Sequence, residues 1–333
     1  MKKDLTSSFL PIYRKIIQKE KKPAFLKAKN TPVSYDEKSS VDTLWNIHHT
    51  AIKKNFILKD KPVKSLLDLK IEIAQRLFSD CTFCEHRCHV DRTKKSGFCK
   101  VTTPIISSEC VHYGEEKIFI PSHTIFFSGC NFHCVFCQNY NISQQTQGLY
   151  ISPTQLAQRI EHTFDHNSIN VNWVGGDPTP NVLYILKTMK HINRPIPQIW
   201  NSNLYCSKET MHLLDGIIDV FLSDFKFGNN ACAESLAGIS NYFNIITRNH
   251  RLAARFGEVF IRHLVLPNHL NCCSKPILSW ISENIPETPV NIMDQYYPSY
   301  KAHSFSKLNR RCSKNEIKEI TLFAEDLYLR LVK

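Results

Sequence analysis

The chain has 333 residues, 42% of them hydrophobic, enough to bury a sizeable core without staples. Lys and Arg number 42 against 30 Asp and Glu; this favours an anionic partner or cofactor but is also ordinary for a solvated surface, so charge alone does not make nucleic acid the expected partner. The opening segment Met1–Leu10 lacks the apolar run of a leader, and no later run approaches the ~20 apolar residues of a membrane span, so a soluble cytoplasmic protein with no membrane partner is expected.

Residues 1–78 read as an N-terminal extension, mainly helical, and lysine-rich and loosely organised up to about Lys64. Within it, Leu66, Leu69, Ile73 and Leu77 recur at helical spacing and predict a helix over 66–78 with one buried face. A Cys-rich segment, residues 79–121, follows. It holds Cys81, Cys84, Cys88 and Cys99, enough thiols to close a second metal site, either zinc or an auxiliary iron–sulfur cluster, with His86 and His89 as substitute ligands. In a reducing compartment, thiols clustered in this way more often bind metal than pair as disulfides.

Residues 122–333 alternate apolar runs with amphipathic stretches, the pattern of β/α units on a parallel sheet. Strands are expected at Thr124–Gly129, Asn170–Val174, Pro197–Asn201, Val220–Phe225, Val259–Leu266 and Val290–Asp294. Ser152-Pro-Thr-Gln155 and Ser313-Lys-Asn-Glu316 are capping boxes that start helices. The expected fold is therefore α/β, a partial (β/α)6 barrel of the TIM type, whose chemistry sits where the strands end.

The first strand ends in the loop Cys130-x3-Cys134-x2-Cys137. Three thiolates can hold three irons of a [4Fe–4S] cluster and leave the fourth without a protein ligand. A structural zinc site wants four closed ligands, and only His133 offers a local fourth. The other strand ends carry polar groups: Gly175-Gly176-Asp177, Ser202-Asn203, Asp224-x-Lys226 and Arg262-His263, with Gln295 and Tyr296 as weaker candidates for substrate contact. As isolated features these are a tight turn, loop formers, an exposed ion pair and a satisfied core histidine. Only one of Arg262 and His263 can face the barrel interior, since neighbours on a strand point to opposite sides, and Arg262 is the residue expected inward. Cys110, Cys206, Cys232, Cys272, Cys273 and Cys312 show no grouping and read as ordinary thiols.

The cysteine loop, with Phe136 before its third cysteine, resembles the signature of the radical S-adenosylmethionine (SAM) superfamily, and the resemblance runs with short gaps from about Thr124 to the C-terminus. It is closest to homologues of pyruvate formate-lyase activating enzyme, particularly uncharacterised relatives whose first strand reads much like Thr124-Ile-Phe-Phe-Ser-Gly-Cys130 and continues into Cys137-Gln138-Asn139. The upstream cysteines recur in those relatives too.

The resemblance implies a [4Fe–4S] cluster on Cys130, Cys134 and Cys137, and SAM as cofactor. Phe136 would lie near its adenine, Gly175-Gly176-Asp177 near its amino group with Asp in place of the usual Glu, and Asp224 and Lys226 near its carboxylate. Ser202 and Asn203 suit its ribose, and Arg262 matches an arginine of the relatives' fifth strand. It further implies reductive cleavage of SAM by a ferredoxin or flavodoxin electron, then hydrogen abstraction from a substrate. A glycine in a partner protein is one candidate. The competing class is a non-catalytic zinc or iron–sulfur protein that contacts nucleic acid through its basic N-terminus.

Overall fold

The computed structural model describes residues 9–53, 60 and 62–332. Residues 1–8, 54–59, 61 and 333 lie outside it, and with them most of the segment in which a leader was sought. No described helix is long and apolar enough to cross a membrane.

Four helices lead the chain: α1 (Pro11–Ile17), α2 (Ala24–Asn30), α3 (Val41–Lys53) and α4 (Leu66–Ser79). Ser65 caps α4, its hydroxyl accepting from the Asp68 N–H while the Asp68 carboxylate accepts from the Ser65 N–H. The α4 face read from periodicity is buried. Among the described residues before α4, Phe25 and Leu44 are fully buried, and α2 and α3 pack on α4.

Eight strands form one sheet in sequence order: β1 (Ile106–His112), β2 (Ser122–Phe127), β3 (Asn170–Gly175), β4 (Gln198–Ser202), β5 (Val220–Asp224), β6 (Glu258–Leu264), β7 (Pro289–Met293) and β8 (Arg330–Leu331). The strands from β2 to β8 run parallel, while β1 pairs antiparallel with β2. Between them lie α5 (Tyr140–Ser143), α6 (Pro153–His166), α7 (Val182–His191), α8 (Lys208–Leu214), α9 (Asn230–Ala237), α10 (Tyr242–Phe256), α11 (Lys275–Asn284) and α12 (Lys314–Asp326).

The six expected strands are present, and two edge strands join them. β1 was hidden in the Cys-rich segment, where its polar Ser-Ser-Glu sequence carries no apolar run, and β8 has only two residues. Both capping boxes form, on Ser152 of α6 and Ser313 of α12. Among the described residues β1 and β8 do not pair, so the barrel stays open at that seam. Its core includes Ile125, Phe127, Val171, Trp173, Trp200, Leu222 and Ile261, all fully buried.

Candidate cluster and cofactor site

Past the end of β2 the chain turns through Gly129, at φ +88°, where a Cβ would strike the Val101 side chain. The loop that follows is pinned from two sides. The N–H groups of His133 and Val135 donate to Ala237 O (3.1 Å) and Leu236 O (2.8 Å) at the end of α9, and the Gln144 side-chain amide donates to Phe132 O (3.0 Å). The loop's own backbone reaches its thiols as well: the Phe132 N–H lies 3.3 Å from Cys130 Sγ. The Cys137 thiol meets the Ser143 hydroxyl at 3.2 Å.

Cys130 and Cys134 are buried and Cys137 half-buried, and all three line one cavity of about 420 Å³. Burial pushes the Cys130 thiol far above the ordinary cysteine range, with Asp177, Cys134 and Cys137 adding to it. Burial also pushes Cys134 up to about 12, against the opposing pull of Lys226. Two buried thiols with raised pKa values beside a third cysteine ionise together only with a cation among them. Iron supplies that charge, so the donor set fits a [4Fe–4S] cluster held by three cysteines.

The same cavity is lined by Phe136, Gly175, Gly176, Asp177, Ser202 and Asn203, and also by Asp224, Lys226, Arg262 and Gln295. The glycines are required by the backbone rather than by a ligand alone. Gly175 has φ +128° and a Cβ there would collide with the Phe127 backbone, while one on Gly176 would collide with Gly129 O. Asp177 is fully committed to protein donors. Its Oδ1 accepts from the Thr179 N–H, and its Oδ2 from the Ser202 hydroxyl and the Asn203 N–H, each at 2.9 Å. It thereby ties the end of β3 to the end of β4.

Lys226 Nζ donates to Asp224 Oδ2 at 2.6 Å. Burial opposes its charge, yet Asp224 and Cys134 more than offset that and hold it above the usual lysine range. Phe136 packs edge-on against Phe227 and Tyr296, and the Tyr296 hydroxyl donates to Leu308 O. His263 is a satisfied core histidine, bonded to Phe225 O and the Ser274 hydroxyl.

Arg262 lines the cavity but is paired with Glu115 and Glu116, which follow β1. The Glu116 carboxylate also accepts from Asn291 at 2.8 Å. This acidic pair was missed in the sequence; its signal, two adjacent acids just past a strand, was masked because β1 itself was not recognised. A second cavity of about 790 Å³ shares His112, Glu115, Arg262, Met293 and Gln295 with the first. Asn131 was missed as well: fully buried, it donates to Tyr205 O and accepts from the Asn203 side chain.

The upstream cysteines lie near enough to act on one another's charge. Burial raises the Cys84 thiol, and Cys99, Cys81 and Cys88 add to it. The Phe98 N–H lies 3.4 Å from Cys88 Sγ. This second group abuts the first loop, because Phe98 is stacked between His86 (3.8 Å) and His133 (4.0 Å), and His86 Nε2 bonds Asn131 O at 2.9 Å. His89 turns outward to Asp80. One reading needs correction: Cys232, Cys272 and Cys273 are not isolated thiols, because the fold brings the α9 cap against the loop after β6.

Residues 121–243 match a family model described as a 4Fe-4S single cluster domain. Among solved structures, Streptococcus suis SuiB bound to S-adenosylmethionine is similar at 12% identity and a TM-score of 0.44, over 87% of this chain and 60% of that one. The chain thus spans less than two thirds of SuiB. Methylornithine synthase (PylB) is similar at 14% identity and a TM-score of 0.46, over 96% of this chain and 78% of that one. The Uncharacterized protein MJ0674 of Methanocaldococcus jannaschii is 47% identical over 332 residues, 95% of this chain and 97% of that protein. With nearly half of its residues shared along almost the whole of both chains, this protein belongs to the same family as MJ0674.

Proposed function

We propose that this protein is a radical SAM enzyme. The observation that carries the reading is the convergence of Cys130, Cys134 and Cys137 with Gly175-Gly176, Ser202, Asn203 and the Asp224–Lys226 pair on one cavity at the strand ends. Its volume, about 420 Å³, lies in the range of small-molecule sites. The match to a 4Fe-4S single cluster domain over this stretch supports it. When bound, the cluster and SAM together supply reductive cleavage to a 5′-deoxyadenosyl radical for hydrogen abstraction.

The chain's own residues bind, orient and exclude water. Lys226 would be the cation for a carboxylate and Phe136 an aromatic wall to adenine, while Ser202 and Asn203 line the part of the cavity assigned to a ribose and are themselves bonded to Asp177, Asn131 and the Tyr205 N–H. Asp177 holds the two strand ends rather than the ligand, since its three hydrogen bonds are already made within the protein. Glu115 and Arg262 belong to the wall shared with the second cavity, with Glu116 behind them on that cavity's side, and this is the surface a substrate would meet.

The electron donor in this reading is a ferredoxin or flavodoxin. The finer reading is activation of a partner protein at a glycine, supported by the resemblance of the β2 loop to activating enzymes; a small-molecule substrate is its rival. Cys81, Cys84, Cys88 and Cys99 would hold the second metal, zinc or an auxiliary cluster.

The test is anaerobic reconstitution with iron and sulfide, then addition of SAM and dithionite. The expected result is 5′-deoxyadenosine from the native chain and none from Cys130→Ala. Equal traces from both, with zinc retained and salt-dependent RNA or DNA binding, would instead establish the non-catalytic metal-protein reading.

A further inference from the structure

A group of metal-ligating side chains lies outside the cluster loops. The sulfurs of Cys232 and Cys272 and a ring nitrogen of His269 all lie within 4.8 Å of one another. They come from two places: Cys232 is in the first turn of α9, while His269 immediately precedes, and Cys272 lies within, the turn of π-helix Leu270–Ser274 that follows β6. We propose that Cys232, His269 and Cys272 form a third metal site, for zinc or a similarly soft divalent cation. It stands independently of the radical SAM reading.

The distance excludes a disulfide and is one that both a thiol–thiol hydrogen bond and a shared metal allow. Cys232 Sγ and Cys272 Sγ are 3.8 Å apart. A disulfide requires about 2.05 Å. Two thiolates at the corners of a tetrahedral zinc, with Zn–S of about 2.3 Å, stand about 3.8 Å apart.

The supporting hydrogen bonds are those a metal site uses. His269 Nδ1 bonds the Pro267 carbonyl at 2.8 Å. Since a carbonyl only accepts, Nδ1 carries the proton and Nε2 keeps the lone pair that a metal takes. Asn229 caps α9, its Oδ1 accepting from the Cys232 N–H at 2.8 Å. Its amide reaches both sides of the site, lying 3.3 Å from Cys232 Sγ and 2.6 Å from Cys272 O. Cys273 is buried and stands outside this three-atom group, so the fourth position of a tetrahedral zinc would fall to water. π-helical turns are rare and frequently sit at functional sites, and this one sets two donors beside α9.

The site's consequence follows from what α9 does at its other end. There, Leu236 O and Ala237 O accept the N–H groups of Val135 and His133 in the Cys130–Cys137 loop. A metal that fastens the start of α9 to the turn after β6 therefore holds the helix that holds the cluster loop.

The test is zinc content of the anaerobically purified full chain, loaded with iron and sulfide, equilibrated with zinc and desalted. The native chain and Cys110→Ser, a control at an exposed thiol elsewhere, should each retain one equivalent more than Cys232→Ser/Cys272→Ser. The difference is read between variants, so it holds whether or not iron fills the other cysteines. His269→Gln guards against a double variant that does not fold. With a native circular dichroism spectrum it should lose zinc affinity by at least the about 10–100-fold that removal of an outer-shell partner costs. Equal zinc content and affinity throughout would overturn the proposal, as would a Cys232–Cys272 disulfide in chain kept under reductant.

Discussion

At the scale of single residues, Asp177 is held by its own turn and by the end of β4. A carboxylate with one methylene fewer than glutamate sits close to its own turn, where Thr179, Ser202 and Asn203 saturate it. Asp177→Asn puts an amide N–H against at least one of these donors. It should lower unfolding free energy by about 1–3 kcal/mol in denaturant titration, the cost of an unmet buried group. If Asp177 instead contacted only a ligand, the free chain's stability would not change. Cys130→Ala, Cys134→Ala and Cys137→Ala should each abolish the visible absorption of the reconstituted cluster. Cys312→Ala, at a thiol outside every cluster, should leave it intact.

At the scale of elements, the turn after β3 and the helix α4 make separate predictions. Gly175 has φ +128° with the Phe127 backbone where a Cβ would stand, so Gly175→Ala is doubly strained. It should cost more than the about 1–3 kcal/mol of an unfavourable backbone region, read as a lowered melting temperature. In α4, Lys70 is fully buried, its Nζ donating to His212 O and Leu213 O and meeting His48 Nε2 at 2.8 Å. Burial lowers its pKa from 10.5 to about 7, with Asp215 opposing.

A lysine whose folded pKa is depressed leaves the unfolded chain holding more protons between the two values, so stability rises with pH through that window. The native chain should therefore gain stability relative to Lys70→Met from pH 7 toward about pH 9, with a slope approaching about 1.4 kcal/mol per pH unit. A flat difference would show that the lysine is solvated.

At the scale of the whole molecule, two cysteine groups are joined by one aromatic stack. The stack His86–Phe98–His133 carries the upstream group onto the cluster loop. Cys84→Ala/Cys88→Ala should therefore lower metal content and also broaden the electron paramagnetic resonance signal of the reduced cluster on Cys130, Cys134 and Cys137. An unchanged signal would show that the two groups are mechanically independent.

The sequence by itself determined the α/β alternation, the six inner strands, both barrel capping boxes and the cysteine loop. Each rests on local spacing: apolar runs of strand length, a Ser three residues before Gln or Glu, and thiols within one loop. Only the tertiary structure decided what Arg262 pairs with, because Glu115 and Glu116 are 147 and 146 residues away and follow an edge strand with no apolar signature. The same holds for Cys232 and Cys272, forty residues apart, and for Lys70, whose partners lie on α3 and α8. A ligand set or a buried charge is specified by which side chains the sheet order brings to one place. Chain spacing carries that information only when the partners are neighbours.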